Sequence, residues 1–161
     1  MDLLELHGAL VPQRRVPPQR VVEGFDVLED GEHIGDNAIV EPPFHCDYGW
    51  NILLGAGAYV NVNCVILDCA MITIGSLTML GPGVQLCAAT HPIDPDDRKR
   101  GLECALPIVI GTNVWIAASV VVGPGVTIGD DSTIGAGSVV LTDVPPRVVV
   151  AGNPARVVRR L

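Results

Sequence analysis

Positive charge is the first thing in short supply. The chain of 161 residues carries 10 Lys and Arg against 18 Asp and Glu, a formal charge of −8. That balance argues against nucleic acid as a partner, because a phosphate-backbone binder needs a cationic face. Aromatic residues are scarce as well, at 4%, too few for most sandwich cores. No run approaches the roughly 18 to 20 uninterrupted apolar residues that cross a bilayer, and the opening MDLLELHGALVPQRR is acidic before it is basic, unlike a secretory leader. A soluble, cytoplasmic protein with no membrane partner is expected. The five cysteines (Cys46, Cys64, Cys69, Cys87 and Cys104) form an odd set with no CxxC and no neighbouring His pair. They indicate neither a disulfide framework nor a zinc site, and read as small buried hydrophobes in a reducing compartment. No metal is expected.

What the chain does have is Val and Ile, 36 residues of it, and a period. From Ile110 it divides every six residues into IGTNVW, IAASVV, VGPGVT, IGDDST, IGAGSV and VLTDVP. Position one is Ile or Val in every block (Ile110, Ile116, Val122, Ile128, Ile134, Val140), position two is small in the first five, and position five is Val or Ser. A helix returns a side chain to the same face after about 3.6 residues, so this strict period of six cannot be one amphipathic helix. A short strand and a turn per hexad, three hexads to a triangular coil, would point the position-one aliphatics inward and stack them on the coil above. Small residues at position two permit the bend.

The same grammar runs earlier in looser register: LGAGAY, VNVNCV and ILDCAM from Leu54, then, after a two-residue slip, IGSLTM, LGPGVQ and LCAATH from Ile74, with IGDNAI from Ile34 upstream. HPIDPDDRKRGLECALP, His91 to Pro107, breaks the rhythm. A polar excursion of that length is usually functional or disordered.

Three segments follow. Residues 1–30 do not repeat; MDLLELH allows a helical turn or two, and VPQRRVPPQR has too much proline to continue it. Residues 31–147 are the solenoid, with an excursion loop at 92–107. Residues 148–161 are a tail in which Asn153-Pro154 suits a helix start and ARVVRRL sets Arg156, Arg159 and Arg160 on or beside one face of a short cap helix. His91 stands where the regular coil gives way to the excursion. Imidazole is the side chain that can take a proton near neutral pH, although position alone also admits a surface histidine. Asn61 is harder to read as scaffold, since the VNVNC run puts amides into an aliphatic repeat and buried amides need partners.

The hexads resemble the left-handed parallel β-helix of the hexapeptide-repeat acyltransferases, which implies an all-β solenoid with a left-handed crossover. The strings Pro42-Pro43-Phe44-His45-Cys46-Asp47-Tyr48-Gly49-Trp50-Asn51-Ile52, Asn61 to Asp68, Ala89-Thr90-His91-Pro92, Gly101-Leu102-Glu103 and Asn113-Val114-Trp115-Ile116 are similar, more narrowly, to the sugar O-acetyltransferases of the maltose and galactoside type, including the nodulation acetyltransferases. The similarity runs from about Glu41 to Leu161.

That resemblance implies transfer of acetyl from acetyl-CoA to a sugar hydroxyl, with no metal and no covalent enzyme intermediate, in a homotrimer whose sites lie between subunits. Carried over by residue, His91 is the general base, with Glu103 orienting its ring. The backbone N–H of Ala118 is the oxyanion donor. Asp47, Asn61, Asp68 and Trp115 line the acceptor pocket. Coenzyme A contacts main chain near Ala118, Ala136 and the Leu141-Thr142 step, its phosphates facing Arg156 and Arg159. Where relatives carry Thr-Lys-Asp this chain reads Leu141-Thr142-Asp143, without that cation, and the longer helical segment that precedes the coil in relatives is shortened or replaced. An acceptor hydroxyl on an amino acid or antibiotic, and a non-catalytic repeat scaffold, remain the alternatives. A hexapeptide-repeat metalloenzyme of the carbonic anhydrase kind would need three clustered histidines, and His7, His33, His45 and His91 lack the spacing.

Overall fold

A computed structural model describes residues 33–161 and, ahead of them, the backbone of the strands Val11–Pro12 and Arg20–Val22. The helical turn expected at MDLLELH lies outside the described residues. The remainder is a parallel β-solenoid with three faces. The first carries Phe44–Cys46, Cys64–Leu67, Gln85–Cys87, Val121–Val122 and Val139–Val140; the second Ile52–Leu54, Ile72–Ile74, Ile108–Ile110 and Thr127–Ile128; the third Ile39–Val40, Tyr59–Val60, Met79–Leu80, Trp115–Ile116, Thr133–Ile134 and Val148–Gly152.

Position-one side chains form three columns. Cys46, Ile66, Leu86, Val122 and Val140 are register partners on the first face. Leu54, Ile74, Ile110 and Ile128 stack on the second, and Val40, Val60, Leu80, Ile116, Ile134 and Val150 on the third. All but Val40 are buried. Position five also turns inward: Val114, Val120 and Val126 are buried, and so are Ser132 and Ser138. The two serines are tolerated because each hydroxyl donates to a carbonyl (Pro145 and Gly135) and accepts a backbone N–H from Val148 or Gly152. Among the described residues no helix is long and apolar enough to cross a membrane.

The corners make three edges. Edge one, between the first and second faces, is built from residues 47–51, 68–71, the excursion, 123–126 and 141–143. Edge two, between the third and first faces, is built from 41–43, 61–63, 81–83, 117–119 and 135–137. The register slip seen in the sequence lies at edge one. The corners after Cys46 and Ile66 are two residues longer than the corner after Val122, so the strands stay stacked while the corner bulges outward.

The excursion is more ordered than a loop. It holds the helix Pro95–Lys99, capped by the Asp94 side chain, which accepts from the N–H groups of Asp96 and Asp97. The strand Leu102–Ala105 then returns antiparallel to Ala89–Thr90. Its other side pairs with Val11–Pro12, Val11 opposite Glu103.

The tail corrects the expectation of a cap helix. Ala155–Arg160 is a strand that folds back antiparallel on Val148–Gly152. Gly152, at φ 103, supplies the left-handed turn that leads into Asn153-Pro154. Val148–Gly152 would otherwise be an open sheet edge, and pairing with it outweighs the weak helical preference of a segment containing Val157 and Val158. Arg156 and Arg159 therefore oppose Ala151 and Val149 across a bulge, instead of sharing a helix face.

Coil-on-coil contact at edge three, between the second and third faces, leaves no room for side chains. A Cβ on Gly75 would lie 2.4 Å from the Gly111 carbonyl oxygen. Gly75→Ala is expected to cost about 1–3 kcal/mol, the usual range for overpacking, read as a lowered denaturant midpoint with an unchanged m-value.

Candidate functional site

The expected site residues fall on two edges. On edge one, the pairing of Ala89–Thr90 with Leu102–Ala105 sets Thr90 opposite Cys104. The next residue on one strand, His91, then lies beside Glu103 on the other. His91 Nε2 is 3.9 Å from Glu103 Oε2, with the imidazole 57% and the carboxylate 27% exposed. At that distance the pair is a charge contact and not a hydrogen bond. The ring is open to a ligand.

Two coils away on the same edge, the 47–51 corner folds around Asp68. Asp68 was expected among the residues lining a pocket. It is instead wholly buried, and its two oxygens accept from four backbone N–H groups: Asp47 at 3.1 Å, Tyr48 at 2.9 Å, Gly49 at 2.8 Å and Asn51 at 3.2 Å. The Asn51 amide closes the corner by donating to the Asp68 carbonyl at 2.8 Å. A carboxylate surrounded in this way is spent on the backbone and presents nothing to a small molecule.

Asp47 is different. It is 6% exposed, and its Oδ2 accepts from the Cys69 thiol at 3.3 Å, while Oδ1 has no donor among the described residues. Burial first, and then the Asp68 charge, push the Asp47 carboxyl above the usual carboxylate range, with the Cys69 hydrogen bond pulling it back. The same burial, with the Asp47 hydrogen bond and charge, pushes the Cys69 thiol up to about 12. Burial raises Cys87 too, aided by Asp47. Neither thiol next to this corner is a thiolate at neutral pH, and so neither is a nucleophile.

Two aromatic residues on this corner have no role in the sequence reading. Trp50 is 58% exposed, and its ring lies 5.0 Å from that of Tyr48 at 40°. The signal was available: a Tyr and a Trp within three residues of Asp47, in a chain almost without aromatics.

Edge two gathers Asn61, Ala118 and Ala136. Asn61 accepts the Val62 N–H on its own Oδ1 at 2.8 Å, which leaves the amide NH2 for another partner. The N–H groups flanking Ala118 are occupied, Ala117 by the Ile134 carbonyl and Ser119 by the Pro82 carbonyl. The Ala118 N–H has no acceptor among the described residues. Trp115 lies on the third face just ahead of this corner, 51% exposed, between Met79 and Thr133 in register.

Leu141 and Thr142 belong to the lower end of edge one. Thr142 and Arg156 share the rim of a cavity of about 220 Å³ floored by Val140, Val144 and Val150. These valines end the aliphatic columns, so the cavity is the base of the core. It is smaller than the roughly 300–1,000 Å³ of ordinary ligand pockets. Arg159 stands apart from it, opposite Val149. No group of three or more His, Cys, Asp or Glu that could hold a metal ion occurs among the described residues.

Comparison with known proteins agrees with this geometry. Residues 107–142 match the bacterial transferase hexapeptide family, described as six repeats. The chain is 56% identical over 124 residues to nodulation protein L of Rhizobium meliloti, covering 77% of this chain and 68% of that one. It is 49% identical over 128 residues to the galactoside O-acetyltransferase of Escherichia coli, covering 80% and 63%. Among solved structures, the maltose O-acetyltransferase from Clostridium difficile superposes with a TM-score of 0.79 at 46% identity, covering 81% of this chain and 70% of that one. A hexapeptide-repeat acetyltransferase of Vibrio cholerae complexed with acetyl coenzyme A gives 0.79 at 45%, covering 81% and 71%. The matched stretch thus spans about two thirds of the curated relatives' length.

The raised Asp47 carboxyl makes a stability prediction. Because its folded pKa lies above the unfolded value of about 3.9, the native state holds the proton more tightly, and stability falls as the pH rises through that interval. Asp47→Asn is therefore expected to raise the unfolding temperature at pH 7, and the advantage should vanish near pH 3, where the wild-type carboxyl is protonated. Unfolding scans of both proteins across pH 3–7 provide the check.

Proposed function

Since the chain belongs to the hexapeptide-repeat acetyltransferases, we propose that it moves acetyl from acetyl-CoA to a hydroxyl of a neutral sugar of the maltose, glucose or galactoside kind, by direct attack with His91 as general base. The observation that carries this reading is the open His91 imidazole beside the Glu103 carboxylate, on the same edge as a buried carboxylate one of whose oxygens has no donor among the described residues.

The chemistry needs such a base because a hydroxyl is a poor nucleophile at pH 7. His91 takes the hydroxyl proton as the oxygen adds to the thioester carbonyl. Glu103 steadies the imidazolium. The tetrahedral intermediate places its oxyanion at a backbone N–H, and the Ala118 donor is free to receive it. When the C–S bond breaks, the sulfur leaves with the electron pair and the proton returns from His91, giving the acetyl ester and free coenzyme A. A covalent route through a cysteine is disfavoured by the protonated state of Cys69 and Cys87. Asp47 and the Asn61 amide would bind sugar hydroxyls, and Trp115 would stack on the apolar face of the ring. Thr142 and Arg156 would meet the coenzyme near its phosphates, with Arg159 alongside, and Leu141 and Ala136 would flank its path.

One chain does not bring these groups together. His91 and Asp47 lie on edge one, Asn61 and Ala118 on edge two, and between the edges runs a strand such as Cys64–Leu67, at about 3.3 Å per residue a separation of roughly 10 Å or more. A base must come within about 3 Å of the proton it removes. Edge one of one subunit against edge two of another completes the site, and three copies in a ring match edges one and two of every copy. Cys64, Cys69, Cys87 and Cys104 are thiols and fit a reducing compartment, and hence the cytoplasm.

His91→Ala is expected to slow acetyl transfer by about 10²- to 10⁴-fold, followed as free thiol released from acetyl-CoA across a panel of sugars and amino-acid hydroxyls. Undiminished turnover would remove the base assignment. In the same assay Arg156→Ala is expected to raise KM for acetyl-CoA about tenfold, as the loss of a charge-assisted hydrogen bond implies, and to leave KM for the sugar unchanged.

A further inference from the structure

Asp68 spends a fully buried carboxylate on four N–H donors of one loop, and the residue after it, Cys69, donates to the Asp47 side chain. One dipeptide thus fixes both the backbone that carries Asp47 and the carboxylate itself. A plain turn needs nothing of the kind, as residues 123–126 round the same edge two coils below Asp68 without a buried acid. The two extra residues in the corner after Cys46 are what the Asp68 carboxylate gathers up. They push the Asp47 loop out of the hexad path, leave Asp47 Oδ1 without a donor among the described residues, and set the Trp50 ring in the open. We propose that Asp68 is a positioning residue for acceptor specificity: by clamping the 47–51 corner it aims Asp47 Oδ1 and the Trp50 face at the sugar, and it touches neither sugar nor coenzyme.

The geometry favours positioning over bare stability. A buried carboxylate that accepts several N–H bonds is satisfied, so it fixes direction. Both Asp68 oxygens are used, which sets the loop in two directions, and Asn51 Nδ2 locks its far end. A displacement of about 1 Å in a substrate-orienting group can cost two orders of magnitude in rate. The inference rests on the reading of Asp47 as an acceptor contact.

The test uses the full-length protein, acetyl-CoA and whichever sugar of the panel the wild type acetylates fastest. In Asp68→Asn one oxygen becomes an NH2 that faces N–H donors, so the loop loses its clamp. Acceptor KM is expected to rise roughly tenfold or more, with KM for acetyl-CoA within about twofold of wild type. In an Asp47→Ala background the same change should have a clearly smaller effect on acceptor KM, because the part of the clamp that acts through Asp47 is already lost and only the Trp50 face remains to be displaced. An unchanged acceptor KM, a parallel rise in both KM values, or an undiminished effect in the Asp47→Ala background would overturn the proposal. If Asp47→Ala alone leaves acceptor KM unaltered, it is the reading of Asp47 that fails. Should Asp68→Asn not accumulate as folded protein, Asn51→Ala opens the end of the loop and spares the four Asp68 bonds. It must then raise acceptor KM selectively by about threefold, and no change would be equally fatal.

Discussion

Three columns of aliphatic side chains, closed at every coil by a corner too tight for a Cβ, set the terms for everything else in this protein. The coils lie about 4.8 Å apart, the spacing of paired strands. At that distance each position-one residue sits on its neighbour in the next coil, so the core is a stack with almost no sideways freedom. The Val and Ile that dominate the chain suit short strands because they lose little on adopting extended backbone. Gly35, Gly55 and Gly75 mark where the stacking presses hardest, since a Cβ at any of them would meet the backbone of the next coil within 2.4 Å. The repeat therefore tolerates little inside the prism and on its faces. Change has to occur at the corners.

The chemistry is found there. Strand N–H and carbonyl groups are consumed by the coils above and below, whereas a corner can lengthen without disturbing the columns. Edge one does so three times, by two residues after Cys46, by two after Ile66, and by the whole excursion after Leu86. These insertions supply Asp47, Asp68 and the His91–Glu103 pair. Edge two stays regular and contributes backbone donors and a single amide. On the proposed reading, a base and a hydroxyl-binding carboxylate on one edge and an oxyanion donor on the other would make a divided site that a second prism completes.

The period of six was visible in the chain because each hexad repeats the same demand on position one, and Ile110 through Val140 meet it without exception. The slip between Ile66 and Ile74 was visible as well, as an irregularity whose meaning needed coordinates: it marks the corner that bulges. Asp47 and Asp68 could not be separated by residue type, since one carboxylate keeps an oxygen without a donor among the described residues and the other faces four amides, and only the path of the loop tells them apart. The tail misled for a related reason. Helix-start chemistry at Asn153-Pro154 is a local signal, whereas the unpaired strand Val148–Gly152 is a tertiary one, and the tertiary pairing is the stronger. Trp50 was in plain view but sat inside a string of residues valued for their resemblance.

Two acids within one corner would ordinarily repel each other and destabilise the fold, and the molecule resolves this by treating them unequally. Asp68 is surrounded by amide donors, so its charge is compensated where it lies. Among the described residues Asp47 receives only a thiol, keeps Oδ1 without a protein donor, and feels the Asp68 charge as an added cost. An under-satisfied carboxylate held still by a satisfied one is a group with hydrogen-bonding capacity in reserve and little freedom to spend it on itself. A sugar hydroxyl arriving at Oδ1 would then form a bond whose geometry is already set. The rigid columns make the arrangement tenable, because the stacking energy of the prism absorbs a local penalty that a looser scaffold would relieve by turning Asp47 out to water.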